Sequence, residues 1–261
     1  MTHLTTIQLP TMFPFLDHPG PIAFAHRGGG LESPENTLVA FEHARALGYK
    51  YIETDAVVTR DGVLLAFHDE RLDNLTDRRG AVHELPWSSV QTARVHGTQA
   101  IPKLEELLGD WPDACFNIEP KHDTAVAPLA EAIRRTNSLD RVCIGSFSTA
   151  RIRHAQALLG ERLCTSDGPG GVARLRLASV GIPVRVPQVP CMQVPVRYYG
   201  VPVVDRLFVR RAQAHGMKVH VWTIDSESEM HRLLDLGVDG LMTDSPTLLR
   251  HVLVQRGQWV S

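Results

Sequence analysis

"IAFAHRGGGLESPENTLVAFEHARALGYKYIETDAVV", residues 22–58, decides how the chain folds. It opens on IAFAH (22–26), an apolar run of strand length. Over 36–48, Leu38, Phe41, Ala44 and Leu47 recur at helical spacing and Gly48 supplies a stop, which predicts an amphipathic helix. YIETDAVV (51–58) is a second apolar run. Strand, helix and strand in that order form a βαβ unit, the building block of a parallel sheet with right-handed crossovers.

The same alternation runs on. Further strands are predicted over 115–120, 141–147, 162–166, 189–195, 218–223 and 239–243, with helical patterns between them such as 205–216 and 226–237. Eight units of this kind close into an α/β, TIM-type (β/α)8 barrel whose site lies at the C-terminal ends of the strands. The 261 residues fit one such barrel of ~250 residues. Only 59–102 breaks the pattern. Its "RDG" between apolar runs predicts a hairpin extending the second strand. Residues 69–100 or so read as a small insertion in a single domain spanning 1–261, because ~40 residues can hardly bury a core of their own.

Composition narrows the function. With 43% hydrophobic and 21% charged residues, a formal charge of −2 and no basic run, nothing favours nucleic acid. No stretch approaches the 18 apolar residues of a membrane span, and the first 21 residues lack the layout of a signal peptide. A cytoplasmic protein acting on a small polar substrate is expected, with a homo-oligomer left open. Cys115, Cys143, Cys164 and Cys191 are widely spaced without a CxxC or Cys/His cluster, and are expected as buried small hydrophobes without a metal or disulfide role.

Glu53 and Asp55 share one face of the second strand by their i, i+2 spacing, and Glu119 and Lys121 repeat that spacing at the third. Three carboxylates converging at a barrel mouth are hard oxygen donors suited to one divalent cation, Mg2+ or Ca2+; capping or salt-bridged carboxylates are the alternative. His26, ending the first strand, and His68, ending the hairpin, are matched in type to proton transfer. Arg27, just outside the strand, suits a phosphate oxygen or a pairing with Glu32 or Glu35. Gly28, Gly29 and Gly30 allow a sharp turn and close approach to a ligand, but they do not have dinucleotide-binding spacing. Asn36 is expected to cap the first helix and Glu35 to brace the loop. Trp222 is a candidate apolar wall for the substrate and His220 a packed neighbour. Phe147, Gln193 and Asp244 stand at strand exits as further candidate lining.

Taken together, "HRGGGLESPENT", "ETD", "TRDG", "FHD", "IPKLEELL", "NIEPK" and "VHVWTIDSESEMHRLLDLGVDGLMTDSP" resemble the glycerophosphodiester phosphodiesterase family over roughly residues 21–250. The resemblance implies a TIM-type barrel with a small insertion after the second strand. It implies that Glu53, Asp55 and Glu119 bind one divalent cation, that His26 and His68 are the acid/base pair, and that Arg27 and Lys121 hold the phosphate. The implied reaction is hydrolysis of a glycerophosphodiester to glycerol 3-phosphate and an alcohol, with water or the glycerol 2-hydroxyl as nucleophile. Residues 164–204 match only loosely and are expected to help line the pocket. A lysophospholipase D or sphingomyelinase D type of enzyme is the first alternative; it needs an exposed apolar rim, and the insertion is mostly polar. A phosphodiester-binding protein without turnover should have lost a histidine or carboxylate, and an enolate-forming barrel lyase has no need of the HRG–PENT loop.

Overall fold

The structure, a computed structural model, describes residues 12–260. The first half of the segment read for a signal peptide therefore lies outside the described residues. Eight parallel strands form a nearly closed barrel: β1 (Ile22–His26), β2 (Tyr51–Val58), β3 (Cys115–Pro120), β4 (Val142–Ile144), β5 (Cys164–Thr165), β6 (Cys191–Pro195), β7 (Lys218–Trp222) and β8 (Gly240–Thr243). They are followed in turn by helices α1 (Leu38–Ala46), α2 (Leu104–Asp110), α3 (Asp123–Arg135), α4 (Thr149–Leu159), α5 (Pro169–Ser179), α6 (Arg206–Ala214), α7 (Glu227–Leu236) and α8 (Pro246–Gln255). The first three strands keep the limits their sequence predicts. β4 and β5 are shorter, and β5 and β6 form the two ends of the hydrogen-bonded path, leaving one seam unpaired. The seam falls where β5 has only two residues and the chain over 183–189 is irregular.

Alternation along each strand divides the core in two. Ile52, Phe116, Ile118, Val142 and Ile144 face the helices on one side of the barrel, and Val194, Val219, Val221 and Leu241 do so on the other. The barrel interior holds Phe24, Tyr51, Cys143, Cys164, Cys191 and Met242, closed at its lower end by Phe15 and Leu16. Three cysteines are therefore buried as expected, whereas Cys115 is only partly so. Two details of the first helix differ from the sequence pattern. Thr37, not Asn36, is its cap, accepting a hydrogen bond from Ala40 N, and the buried stripe is Ala40, Phe41 and Ala44 with Leu38 outside.

After β2 the chain turns at Gly62 and runs back as Leu64–Ala66, antiparallel to β2 with Ala56 opposite Ala66. This is the predicted hairpin. Val57, Leu65, Phe67, Leu72, Val82, Val90, Ala93, Val95 and Ile101 bury one another beneath the polar excursion that follows. No helix among the described residues is long and apolar enough to cross a membrane.

Candidate active site

Strand register sets the site. His26 lies opposite Glu53 across β1 and β2, Glu53 opposite Asn117, and Asp55 opposite Glu119 across β2 and β3. Because side chains two apart share a face, all of these point to the upper interior of the barrel. The hairpin delivers His68: Phe67 N donates to Asp55 O at 3.1 Å, tying the returning chain to the end of β2. His26, Arg27, Glu53, Asp55, His68, Glu119, Lys121, Phe147 and Trp222 all line one cavity of about 760 Å³. Every residue singled out for chemistry thus reaches the same space.

Each histidine is held by a carboxylate. His26 Nδ1 lies 2.8 Å from Asp244 Oδ1, and its Nε2 lies 3.7 Å from Glu53 Oε2. His68 Nδ1 lies 2.7 Å from Asp69 Oδ1. An ionised carboxylate only accepts, so Nδ1 donates in both pairs. Asp244 is kept ionised: burial pushes its carboxyl up, but the bond from His26 outweighs this and holds it below the ordinary range. For His26, burial lowers the pKa, yet Glu53 and Asp244 overcome it and raise it to about 9. The imidazolium form is therefore favoured at neutral pH.

The acidic residues differ in surroundings. Glu53 is buried, and burial together with the nearby Asp55 charge lifts its carboxyl to about 7 despite His26 and Arg27. Asp55 is buried between cations: Arg27 Nε lies 3.2 Å from its Oδ2 and Lys121 Nζ 3.4 Å from its Oδ1. Lys121 Nζ also lies 3.2 Å from Glu119 Oε2. Burial opposes the charge on Lys121, and Asp55 and Glu119 more than restore it, raising its pKa. Arg27 takes φ 51°, in the left-handed region, so its backbone N–H turns inward to donate to Glu53 Oε2 at 3.1 Å. Its Nη1 donates to Glu35 Oε1 at 2.9 Å. The pairing with Glu35 and the place on the cavity wall are both real.

The PENT loop does more than brace. Asn36 is buried, donating to Asp55 Oδ2 at 3.1 Å and accepting from Thr54 Oγ1 at 2.7 Å, so it fixes Asp55 directly. The glycines answer to packing. A Cβ on Gly28 would meet Ala40 at 2.8 Å, and one on Gly29 would meet Pro246 at 2.6 Å, so the loop lies tight against α1 and α8. The close approach is to neighbouring helices, where the sequence reading had placed a ligand. Asp69 and Asp244, which hold the histidines, were not assigned that work by sequence. The adjacency in "FHDE" was a signal for Asp69; for Asp244, 218 positions from His26, none existed.

The opposite wall is apolar. Phe147 and Trp222 meet edge to face with centroids 5.7 Å apart. Val172 and Leu177 of α5 and Tyr198 and Val201 of a short hairpin (197–202) continue the surface. Phe147 is 53% exposed and Tyr199, which lines the same cavity, 91%. The loosely matching stretch 164–204 does line the pocket.

Residues 26–248 match the model of the glycerophosphoryl diester phosphodiesterase family. The chain is 43% identical over 251 residues to the "Probable glycerophosphodiester phosphodiesterase 2" of Mycobacterium tuberculosis, covering 94% of this chain and 95% of the relative. It is 25% identical to human lysophospholipase D, covering 88% and 85%. In fold it resembles an Oleispira antarctica phosphodiesterase solved with its product sn-glycerol-3-phosphate: TM-score 0.76, 23% identity, 90% of this chain and 97% of that one.

Proposed function

Because this chain belongs to the glycerophosphoryl diester phosphodiesterase family, we propose that it hydrolyses glycerophosphodiesters to glycerol 3-phosphate and a free alcohol, with one divalent cation and two histidines. The observation that carries this reading is the convergence of His26, His68, Glu53, Asp55, Glu119, Arg27 and Lys121 on one cavity. Glu53, Asp55 and Glu119 would hold Mg2+ or Ca2+, both of which take carboxylate oxygens. What supports such an ion is the donor set: Glu53, Asp55 and Glu119 on the facing register of β2 and β3 are all carboxylates, and burial with the Asp55 charge lifts Glu53 to about 7. When bound, the ion supplies charge neutralisation at the phosphoryl oxygens.

The chain's own groups do the rest. Arg27 and Lys121, both already held by carboxylates, would fix the phosphate and offset the charge that builds on it. His26, with Nδ1 committed to Asp244, presents Nε2 and would give a proton to the departing alkoxide. His68, oriented by Asp69, would take the proton of the nucleophile.

A second reading is favoured by the apolar wall. The insertion is mostly polar and offers no rim for a lipid substrate, but exposed Phe147, Leu177, Tyr198 and Val201 stand on the other side of the mouth. A lysophospholipid, whose acyl chain would lie on that wall, is therefore the alternative substrate. Glycerophosphocholine, glycerophosphoethanolamine and lysophosphatidylcholine, assayed side by side for phosphorus-containing products, decide between the two. Glycerol 3-phosphate release from the first two supports the main reading. Turnover of the lysolipid alone overturns it.

A further inference from the structure

Deep in the barrel, below the carboxylates, lies a second cluster of ligating atoms. The Sγ atoms of Cys143 on β4, Cys164 on β5 and Cys191 on β6 all lie within 4.8 Å of one another, and Cys143 and Cys191 are 3.9 Å apart. Among the described residues this is the one group of three or more His, Cys, Asp or Glu gathered so closely. The separation is too long for a disulfide, and all three cysteines are free. It is close to the ~3.8 Å between sulfurs that share a tetrahedral ion with Zn–S bonds of about 2.3 Å.

A fourth donor stands next to Cys191, outside that 4.8 Å group. His220 on β7 is fully buried, and neither ring nitrogen has a hydrogen-bond partner. A neutral imidazole carries one donor and one acceptor, so leaving both unmet in a dry core is costly, and a metal–nitrogen bond would relieve it. Phe24 packs on the ring at 5.0 Å, and Gly240 leaves it room, since a Cβ there would meet His220 Cδ2 at 3.0 Å. The ring lies beside the Cys191 thiol.

We propose that Cys143, Cys164, Cys191 and His220 form a Cys3His site for one thiophilic divalent ion of the Zn2+ type. It is distinct from the carboxylate site in place and in chemistry: soft sulfur and imidazole below, hard oxygen above. Binding breaks three S–H bonds, releases three protons to solvent and forms three metal–sulfur bonds and one metal–nitrogen bond. The neutral ligand set so becomes a centre of net charge −1, towards which Gln193 Nε2 donates at Cys143 Sγ, 3.8 Å away. The purpose follows from the topology. β5 and β6 share no ladder; across the seam the Cys191 thiol lies 3.7 Å from Thr165 O, and Gln193 of β6 donates to Asn117 of β3 at 2.7 Å. An ion held by β4 and β5 on one side and β6 and β7 on the other closes the barrel where the backbone does not.

Since each cysteine is at most 1% exposed, the ion would enter during folding. The test therefore refolds the full chain from guanidinium under reductant with Co2+ and records metal content and the near-ultraviolet spectrum after gel filtration. One Co2+ per chain that survives EDTA, with sulfur-to-cobalt charge-transfer absorption, is expected. Both should be lost in Cys191→Ala and kept in Glu53→Gln, which alters only the upper site. If Cys191→Ala does not fold, the wild-type spectrum and Cys164→Ser decide. No charge-transfer band in the wild-type protein, a Cys143–Cys191 disulfide formed in its place, or a band that persists in the cysteine variants overturns the proposal.

Discussion

The two sides of the barrel mouth are built from different materials. Strands β1 to β3 and β8 end in His26, Glu53, Asp55, Glu119 and Asp244, charged groups fixed on rigid strand ends and cross-braced by Arg27, Lys121 and Asn36. The side from β4 to β7 offers Phe147, Trp222, the α5 face and a short hairpin, apolar and partly exposed. The difference separates chemistry from choice. Charge that must act on a phosphoryl group needs fixed geometry, whereas the selection of an alcohol needs only apolar surface of suitable shape.

Changes on the charged side should cost most. His26→Ala and His68→Ala should each lower kcat by ~10²- to 10⁴-fold while circular dichroism and melting stay close to wild type. Near-full activity in either variant would break the assignment. Next, Asp244→Asn leaves the imidazole in place but removes its anchor. A loss of about 10- to 10²-fold is expected, as for other outer partners that orient a functional imidazole, with the pH–rate profile shifted as His26 becomes easier to deprotonate. An unchanged profile would mean that Asp244 only packs.

The apolar side should respond in substrate preference. Phe147→Ala and Trp222→Ala should change kcat/KM ratios between bulky apolar and small polar alcohol groups by roughly 10-fold, with lesser effect on kcat for the small ones. Equal losses for every substrate would show that this wall serves catalysis as well. The smallest effect lies outside the mouth. Asp205 caps α6, accepting from Phe208 N at 2.9 Å and pairing with Arg176 at 2.7 Å. Burial pushes its carboxyl up, but those bonds outweigh it and hold it below its ordinary 3.8. Its contribution is thus complete above that pH and fades as pH falls through the lower folded value. Asp205→Ala should cost about 1 kcal/mol in denaturant melts at pH 7 and progressively less in acid.

The same division explains what the sequence made legible. The charged side sits in contiguous motifs because i, i+2 spacing on a strand and a short turn beyond it bring residues together locally; "HRGGG", "ETD" and "NIEPK" therefore carry their geometry with them. Asn36 escaped because a residue at φ 54° before a helix reads as a cap until its tertiary partner Asp55 is known. The thiol cluster escaped more completely. The three thiols sit on separate strands, and only barrel closure brings them within reach. Short strands such as Cys164–Thr165, and the hairpin behind the apolar wall, carry too little periodicity to set their limits.

The most direct measurement of the central claim is glycerol 3-phosphate release from glycerophosphocholine by wild-type protein and His68→Ala, after EDTA and after Mg2+ or Ca2+ is restored. Release by the wild type that EDTA abolishes, that the ion restores, and that falls by ~10²-fold or more in His68→Ala is the predicted result. No release with either ion, or equal release by the variant, would contradict the account.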